Sequence, residues 1–295
     1  MIRATVLTLG LAGAAHAEAP VVVADIAPVH SLVAMVMEGV GEPELLLPPG
    51  ASPHDHALRP SEAGTLSEAQ AVVWTGEALA PWLGRALDRL APEAARITLT
   101  EVPGTVTLPA REDPLLHDDG HDHGHDHGEA DPHAWLDPEN GRVWLGAIAE
   151  ALAELDPGNA EVYRANAEAA AADLRSVEAR VAETVAPFRG TRYVVLHDAF
   201  QYFEARFDVP AAAALSIGDA TDPGPSRLRT IRDAIRDEGV ACAFAEPQLD
   251  PGLLGTVAGD AATGVLDPLG VSLEPGPTLY PRLLEALAES LAECG

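Results

Sequence analysis

The sequence contains no lysine. All 18 of its basic residues are arginines, and 46 acidic residues outnumber them, for a formal net charge of −28 at neutral pH. A chain this acidic repels the phosphates of nucleic acid, which excludes that class of partner. The same charge suits an exported protein that stays soluble and attracts cations. Long apolar runs are missing as well: past the first residues no stretch is long enough to span a bilayer. Also missing is any His-Glu-x-x-His pattern, the helical signature of one large class of zinc hydrolases. Cysteine is reduced to Cys242 and Cys294.

The first residues have the grammar of a secretory signal. Arg3 supplies positive charge, Thr5 to Ala15 an apolar stretch, and Ala15-His16-Ala17 a small-x-small cleavage site. Residues 1–17 are therefore expected to be a signal peptide, with no cysteine nearby to carry a lipid, and the mature chain to work outside the cytoplasm. In an oxidising compartment two cysteines are expected to pair, the alternative being two buried thiols.

Short β-branched and aliphatic runs alternate with amphipathic stretches. Strands are expected at Pro20–Asp25, Glu44–Leu47, Ala71–Trp74 and Arg96–Leu99, and again at Tyr193–Leu196, Ala212–Leu215, Ala241–Ala245 and Val265–Leu266. Between the two sets, the chain from Pro157 to Pro187 is rich in alanine and free of any further proline. There Tyr163, Ala167, Ala170, Leu174, Val177, Val181 and Val185 form the stripe of one long helix, opened by Asp156-Pro157. The expected fold class is α/β: two lobes with mostly parallel sheets, residues 18–156 and 187–295, joined by a rigid helix over 157–186.

Ligands of such sheets bind beyond the carboxyl ends of the strands. His54 follows the second strand by a loop, His197 follows Leu196, Asp267 follows Leu266, and His133 precedes a helix start. One histidine at a strand end is commonplace, but three at the same rim point to a shared site. Three neutral imidazoles suit zinc, with a carboxylate or water as fourth ligand. His56 competes with His54, yet the two point apart in an extended segment. Glu246 follows a strand and either lines the cleft or is merely structural, while Trp74 and Trp135 read as core. Upstream of His133 lies a low-complexity run in which His117, His121, His123, His125 and His127 alternate with Asp and Gly, a composition that binds transition metals.

Five segments together resemble a known family. They are Gly50-Ala51-Ser52-Pro53-His54-Asp55-His56-Ala57-Leu58-Arg59-Pro60-Ser61, His133-Ala134-Trp135-Leu136-Asp137-Pro138-Glu139, His197-Asp198-Ala199-Phe200-Gln201-Tyr202-Phe203, Phe244-Ala245-Glu246-Pro247-Gln248 and Leu266-Asp267-Pro268-Leu269-Gly270. In this order they are similar to the zinc-specific periplasmic binding proteins of ABC importers, the ZnuA-like group. The resemblance implies two α/β lobes joined by a rigid helix, with Zn²⁺ in the cleft. It maps the ligand histidines onto His54, His133 and His197 and an acidic rim residue onto Asp267. It also implies an accessory His/Asp-rich loop and a cysteine pair matching Cys242 and Cys294. Manganese-binding relatives carry glutamate at the position of His197, so the metal assignment leans on that residue. Two positions depart from the pattern: His56 stands where a tyrosine is usual, and Pro53 where some members have an acid. The implied role is that of a monomeric periplasmic binding protein and not an enzyme. It would capture zinc and deliver it to a membrane permease driven by a cytoplasmic ATPase. A zinc hydrolase, and a manganese or iron binder of the same fold, are the alternatives.

Overall fold

The computed structural model describes residues 19–111, 130–216, 224–249 and 251–294. The signal-like residues 1–17 and the histidines from His117 to His127 lie outside them. The first sheet contains β1 (Val22–Ala24), β2 (Glu44–Leu45), β3 (Ala71–Trp74) and β4 (Ala95–Thr98) in the order β2-β1-β3-β4. The second contains β5 (Tyr193–His197), β6 (Ala213–Ser216), β7 (Cys242–Ala245) and β8 (Ala262–Val265) in the order β6-β5-β7-β8. All neighbours within each sheet are parallel. The sheets share one topology, with the first strand of each lying inside the sheet.

The strand residues are apolar on both faces because both faces are covered. Val22 and Ala24 of β1 face a core shared by the two lobes, while Val23 between them packs with Leu46, Val72 and Trp74 on the outer face. In β5 Tyr193 and Val195 face the shared core, and Val194 and Leu196 pack outward with Ile231 and Leu254. The outer face of the first sheet is covered by α2 (Pro60–Glu68) and α3 (Pro81–Leu90), and that of the second by α7 (Pro225–Glu238) and α8 (Pro251–Val257).

Between the sheets run α1 (Ala27–Val36), α4 (Pro138–Leu155), α5 (Ala160–Val185) and α9 (Leu279–Cys294). The long helix α5 buries Tyr163, Ala167, Leu174, Val177, Val181 and Val185, the stripe its spacing predicts. Its 26 residues reach about 39 Å at ~1.5 Å per residue. It is the seam of the shared core, packed on α1, α4 and α9, more than a bare strut.

Where α4 and α9 cross, Gly141 makes room. A Cβ there would lie 2.6 Å from the Tyr280 hydroxyl, which donates to the Trp135 carbonyl at 2.7 Å. The last helix is thereby tied to the segment that carries His133. A disulfide joins Cys242, on the interior strand β7, to Cys294 at the end of α9.

Some boundaries differ from expectation. Asp156-Pro157 opens a short 3-10 turn, and α5 starts only at Ala160. The Asp156 carboxylate accepts from Asn159 Nδ2 at 2.7 Å and from the Tyr163 hydroxyl at 2.9 Å, so it secures the turn and not the helix N–H groups. The last strand is Ala262–Val265, earlier in the chain than the apolar pair Val265-Leu266 suggests. It is a sheet edge, and pairing with β7 sets its limits, not its own composition.

Candidate metal centre

Three histidines from three separate stretches meet in the cleft. His54 lies in the loop between β2 and α2. His133 precedes a 3-10 turn over Ala134–Leu136, just ahead of α4. His197 is the last residue of β5. One ring nitrogen from each can be chosen so that all three lie within 4.8 Å of one another. Ring centroids are 5.3 Å apart for His54–His133, 5.8 Å for His54–His197 and 4.9 Å for His133–His197.

Each ring is aimed by its surroundings. Asp131 Oδ1 accepts the His133 backbone N–H at 2.9 Å and faces the ring Nδ1 at 2.8 Å. Glu246, just past β7, accepts the His197 backbone N–H through Oε1 at 3.1 Å and faces Nδ1 through Oε2, also at 3.1 Å. Carboxylates at Nδ1 fix the tautomer and turn Nε2 toward the cleft. The His54 backbone N–H donates to the Ser52 hydroxyl at 3.2 Å, and Trp82 Nε1 donates to the adjacent Pro53 carbonyl at 2.8 Å. His54 Nε2 then lies 3.3 Å from His133 Nε2.

That separation fits a metal ion. Two nitrogens each about 2.05 Å from zinc at the tetrahedral angle lie about 3.3 Å apart. The triad borders a cavity of about 10 Å³, the size of one small ion or water. Its walls are largely apolar: Pro53, Trp135, Leu249, Pro268 and Leu269. Trp135 is core, as expected, and also wall; it stands edge-on to the His133 ring at 5.3 Å and donates through Nε1 to the Pro268 carbonyl at 2.8 Å.

Other expected residues fall elsewhere. His56 faces away, 2.8 Å from Glu62 Oε2 at the start of α2. Burial would raise the Glu62 carboxyl, but the Arg59 backbone N–H and His56 outweigh it and hold it below its ordinary range. Asp267 is not brought into the group. Its Oδ1 accepts from Gln248 Nε2 at 3.2 Å, Leu269 N–H at 3.1 Å and Gly270 N–H at 2.9 Å, and its Oδ2 from Val271 N–H at 2.6 Å. The carboxylate organises the turn that sets Pro268 and Leu269 over the cavity.

The orienting role of Asp131 is absent from the sequence reading, although an aspartate two residues before a candidate ligand is a usable signal. Burial pushes its carboxyl up to about 6, against the pull of the His133 backbone N–H and of Arg111. Glu246 proves to be the carboxylate that holds His197. Glu204 is buried against Arg111, and burial raises its carboxyl although the guanidinium pulls it down.

The family model for the periplasmic zinc-uptake complex component A, ZnuA, matches residues 22–294. The high-affinity zinc uptake system protein ZnuA of Paracoccus denitrificans (strain Pd 1222) is 40% identical, over 95% of this chain and 93% of that protein. Its counterpart in Brucella abortus (strain 2308) is 38% identical, over 92% and 91%. Among solved structures, a crystal structure of ZnuA superposes with a TM-score of 0.79 at 24% identity, covering 94% of this chain and 99% of that one. A manganese-bound mutant of a periplasmic metal binding protein from candidatus liberibacter asiaticus has the same fold, with a TM-score of 0.76 at 20% identity, covering 94% of this chain and 100% of that one. Matched over nearly its whole described length, the chain belongs to the ZnuA family of periplasmic zinc-uptake components.

Proposed function

We propose that this chain is a periplasmic binding protein that captures Zn²⁺ with His54, His133 and His197 and hands it to the permease of an ABC importer. The observation that carries the reading is the 3.3 Å approach of two imidazole nitrogens from distant stretches, beside a third from β5. Three neutral nitrogens, two of them on rings held by carboxylates at Nδ1, are a donor set that suits zinc better than manganese, which favours oxygen. Water takes the fourth position in this reading, because the oxygens of Asp267 are engaged in its own turn. The largely apolar walls leave room for one ion. The names of the relatives, each a high-affinity zinc uptake protein, support the same cargo.

The likeness to a manganese-bound protein of the same fold keeps a second cargo in view. Untagged protein dialysed against a weak chelator should retain one zinc per chain. It should also prefer zinc in competition with manganese. Retention of manganese in preference to zinc would replace this reading with the second. A hydrolase would need a general base beside a metal-bound water. Asp131 and Glu246 already hold imidazoles, which leaves neither placed for that work.

A further inference from the structure

The segment that carries His133 is fastened to the second lobe by side chains on either side of it. Beyond it, Arg206 of α6 (Gln201–Phe207) grips Asp137 with two bonds of 2.8 Å each. Ahead of it the fastening runs through Arg111. The Arg111 guanidinium forks between two buried carboxylates of the second lobe. Nε donates to Asp198 Oδ2 at 2.9 Å, Nη2 to Asp198 Oδ1, and Nη1 to Glu204 Oε2 at 2.8 Å. Asp198 directly follows His197, and its own N–H is bound to the Ser216 carbonyl at 3.0 Å.

On its other side Arg111 adjoins a small clip. Pro109 bridges Ala130 in antiparallel fashion, and the Asp131 N–H donates to the Leu108 carbonyl at 2.9 Å. The Tyr202 hydroxyl closes the clip, accepting the Leu108 N–H at 2.9 Å and donating to the Asp131 carbonyl at 3.0 Å. In the amide orientation that satisfies both its atoms, Gln201 adds bonds to Asp131 Oδ2 at 2.8 Å and the Pro109 carbonyl at 3.1 Å. Asp131 is the carboxylate that aims His133. A single arginine therefore touches the neighbour of one triad histidine and the clip that holds the orienting carboxylate of another.

We propose that Arg111 is a positioning residue for the metal centre, fixing His133 relative to His197 by locking the 108–111/130–131 clip to Asp198 and Glu204. The proposal rests on the reading of the triad as a zinc site. A plain counter-charge for two buried acids could be supplied by lysine, a point charge. A rigid two-acid fork requires the planar guanidinium. Lysine therefore separates positioning from neutralisation.

The experiment uses the full chain and two measurements: the rate at which bound Zn²⁺ is lost to excess chelator, and the visible spectrum of the Co²⁺-loaded protein. Arg111→Met is expected to release zinc about tenfold faster or more, the lower end of what losing a carboxylate behind a metal-bound histidine costs. Its cobalt bands are expected to shift. Arg111→Lys retains the charge and is expected to fold even where methionine does not; it too is expected to release zinc several-fold faster, with a shifted cobalt spectrum. If lysine restores the wild-type release rate and spectrum while only thermal stability changes, Arg111 is a structural counter-charge and the proposal is overturned. Wild-type rates and spectra in both variants overturn it equally. Wild-type protein that takes up no tight zinc or cobalt would overturn the zinc reading and this proposal together.

Discussion

Asp131 grips His133 twice through one oxygen: Oδ1 accepts the backbone N–H at 2.9 Å and lies 2.8 Å from the ring Nδ1. Backbone position and ring orientation are set by the same atom, which leaves Nε2 turned toward His54. Asp131→Ala is expected to weaken zinc binding by about 10- to 100-fold while the two sheets stay intact. Chelator-competition titration measures the first effect and far-ultraviolet dichroism the second. Unchanged affinity would mean that the clip alone positions His133.

That His54, His133 and His197 would meet at one rim was legible because strand ends and imidazoles are both local properties of a sequence. Their orienting carboxylates were legible only in part. Glu246 lies 49 residues from His197 and meets it because β5 and β7 are neighbours, a fact of strand order that no local pattern contains. Asp267 shows the opposite case. It ends an apolar run and so reads as a rim ligand, yet Asp-Pro-x-Gly is also turn chemistry. Gly270, at φ +70°, completes that turn, and the carboxylate is absorbed by the turn's own N–H groups. The strands were readable from their short β-branched runs and the α5 stripe from its period; the edges of β8 and the start of α5 were set by partners.

The Cys242–Cys294 disulfide closes a separation of 52 residues, worth about 4 kcal/mol in the chain-entropy account. It lies away from the triad, tying α9 to β7. Reduction, or Cys294→Ser, is expected to lower the denaturant midpoint and leave zinc affinity unchanged. Denaturant titration and zinc competition on the same samples test both halves.

Asp25, just past β1, is fully buried and accepts the Ile26 N–H at 2.8 Å and the Thr75 N–H at 2.7 Å. Burial outweighs those bonds and pushes its carboxyl from 3.8 up to about 6. Between those values the folded chain holds a proton that the unfolded chain has released. This group's contribution to stability therefore falls as pH rises from about 4 to about 6, by at most about 3 kcal/mol. An asparagine there does not titrate, so Asp25→Asn is expected to gain on the wild type across that window. Parallel stability-versus-pH curves for the two proteins would contradict the assignment.

The run from His117 to His127 is proposed to collect metal without forming part of the tight site. A Gly- and Asp-rich segment loses roughly 1–2 kcal/mol of backbone entropy per residue on ordering, so its sites should be the weaker ones. Deleting residues 117–127 is expected to remove weak calorimetric events and keep one tight zinc. Loss of the tight event would place the run in the primary site.

The central claim is that His54, His133 and His197 together hold one zinc ion while His56, engaged with Glu62, does not take part. Zinc competition against a chromophoric chelator, run on the wild type and on His54→Ala, His133→Ala, His197→Ala and His56→Ala, tests it most directly. The account predicts that each of the first three variants loses the tight zinc with its dichroism unchanged, and that His56→Ala keeps it. Full zinc affinity in His197→Ala, or its loss in His56→Ala, would contradict the account.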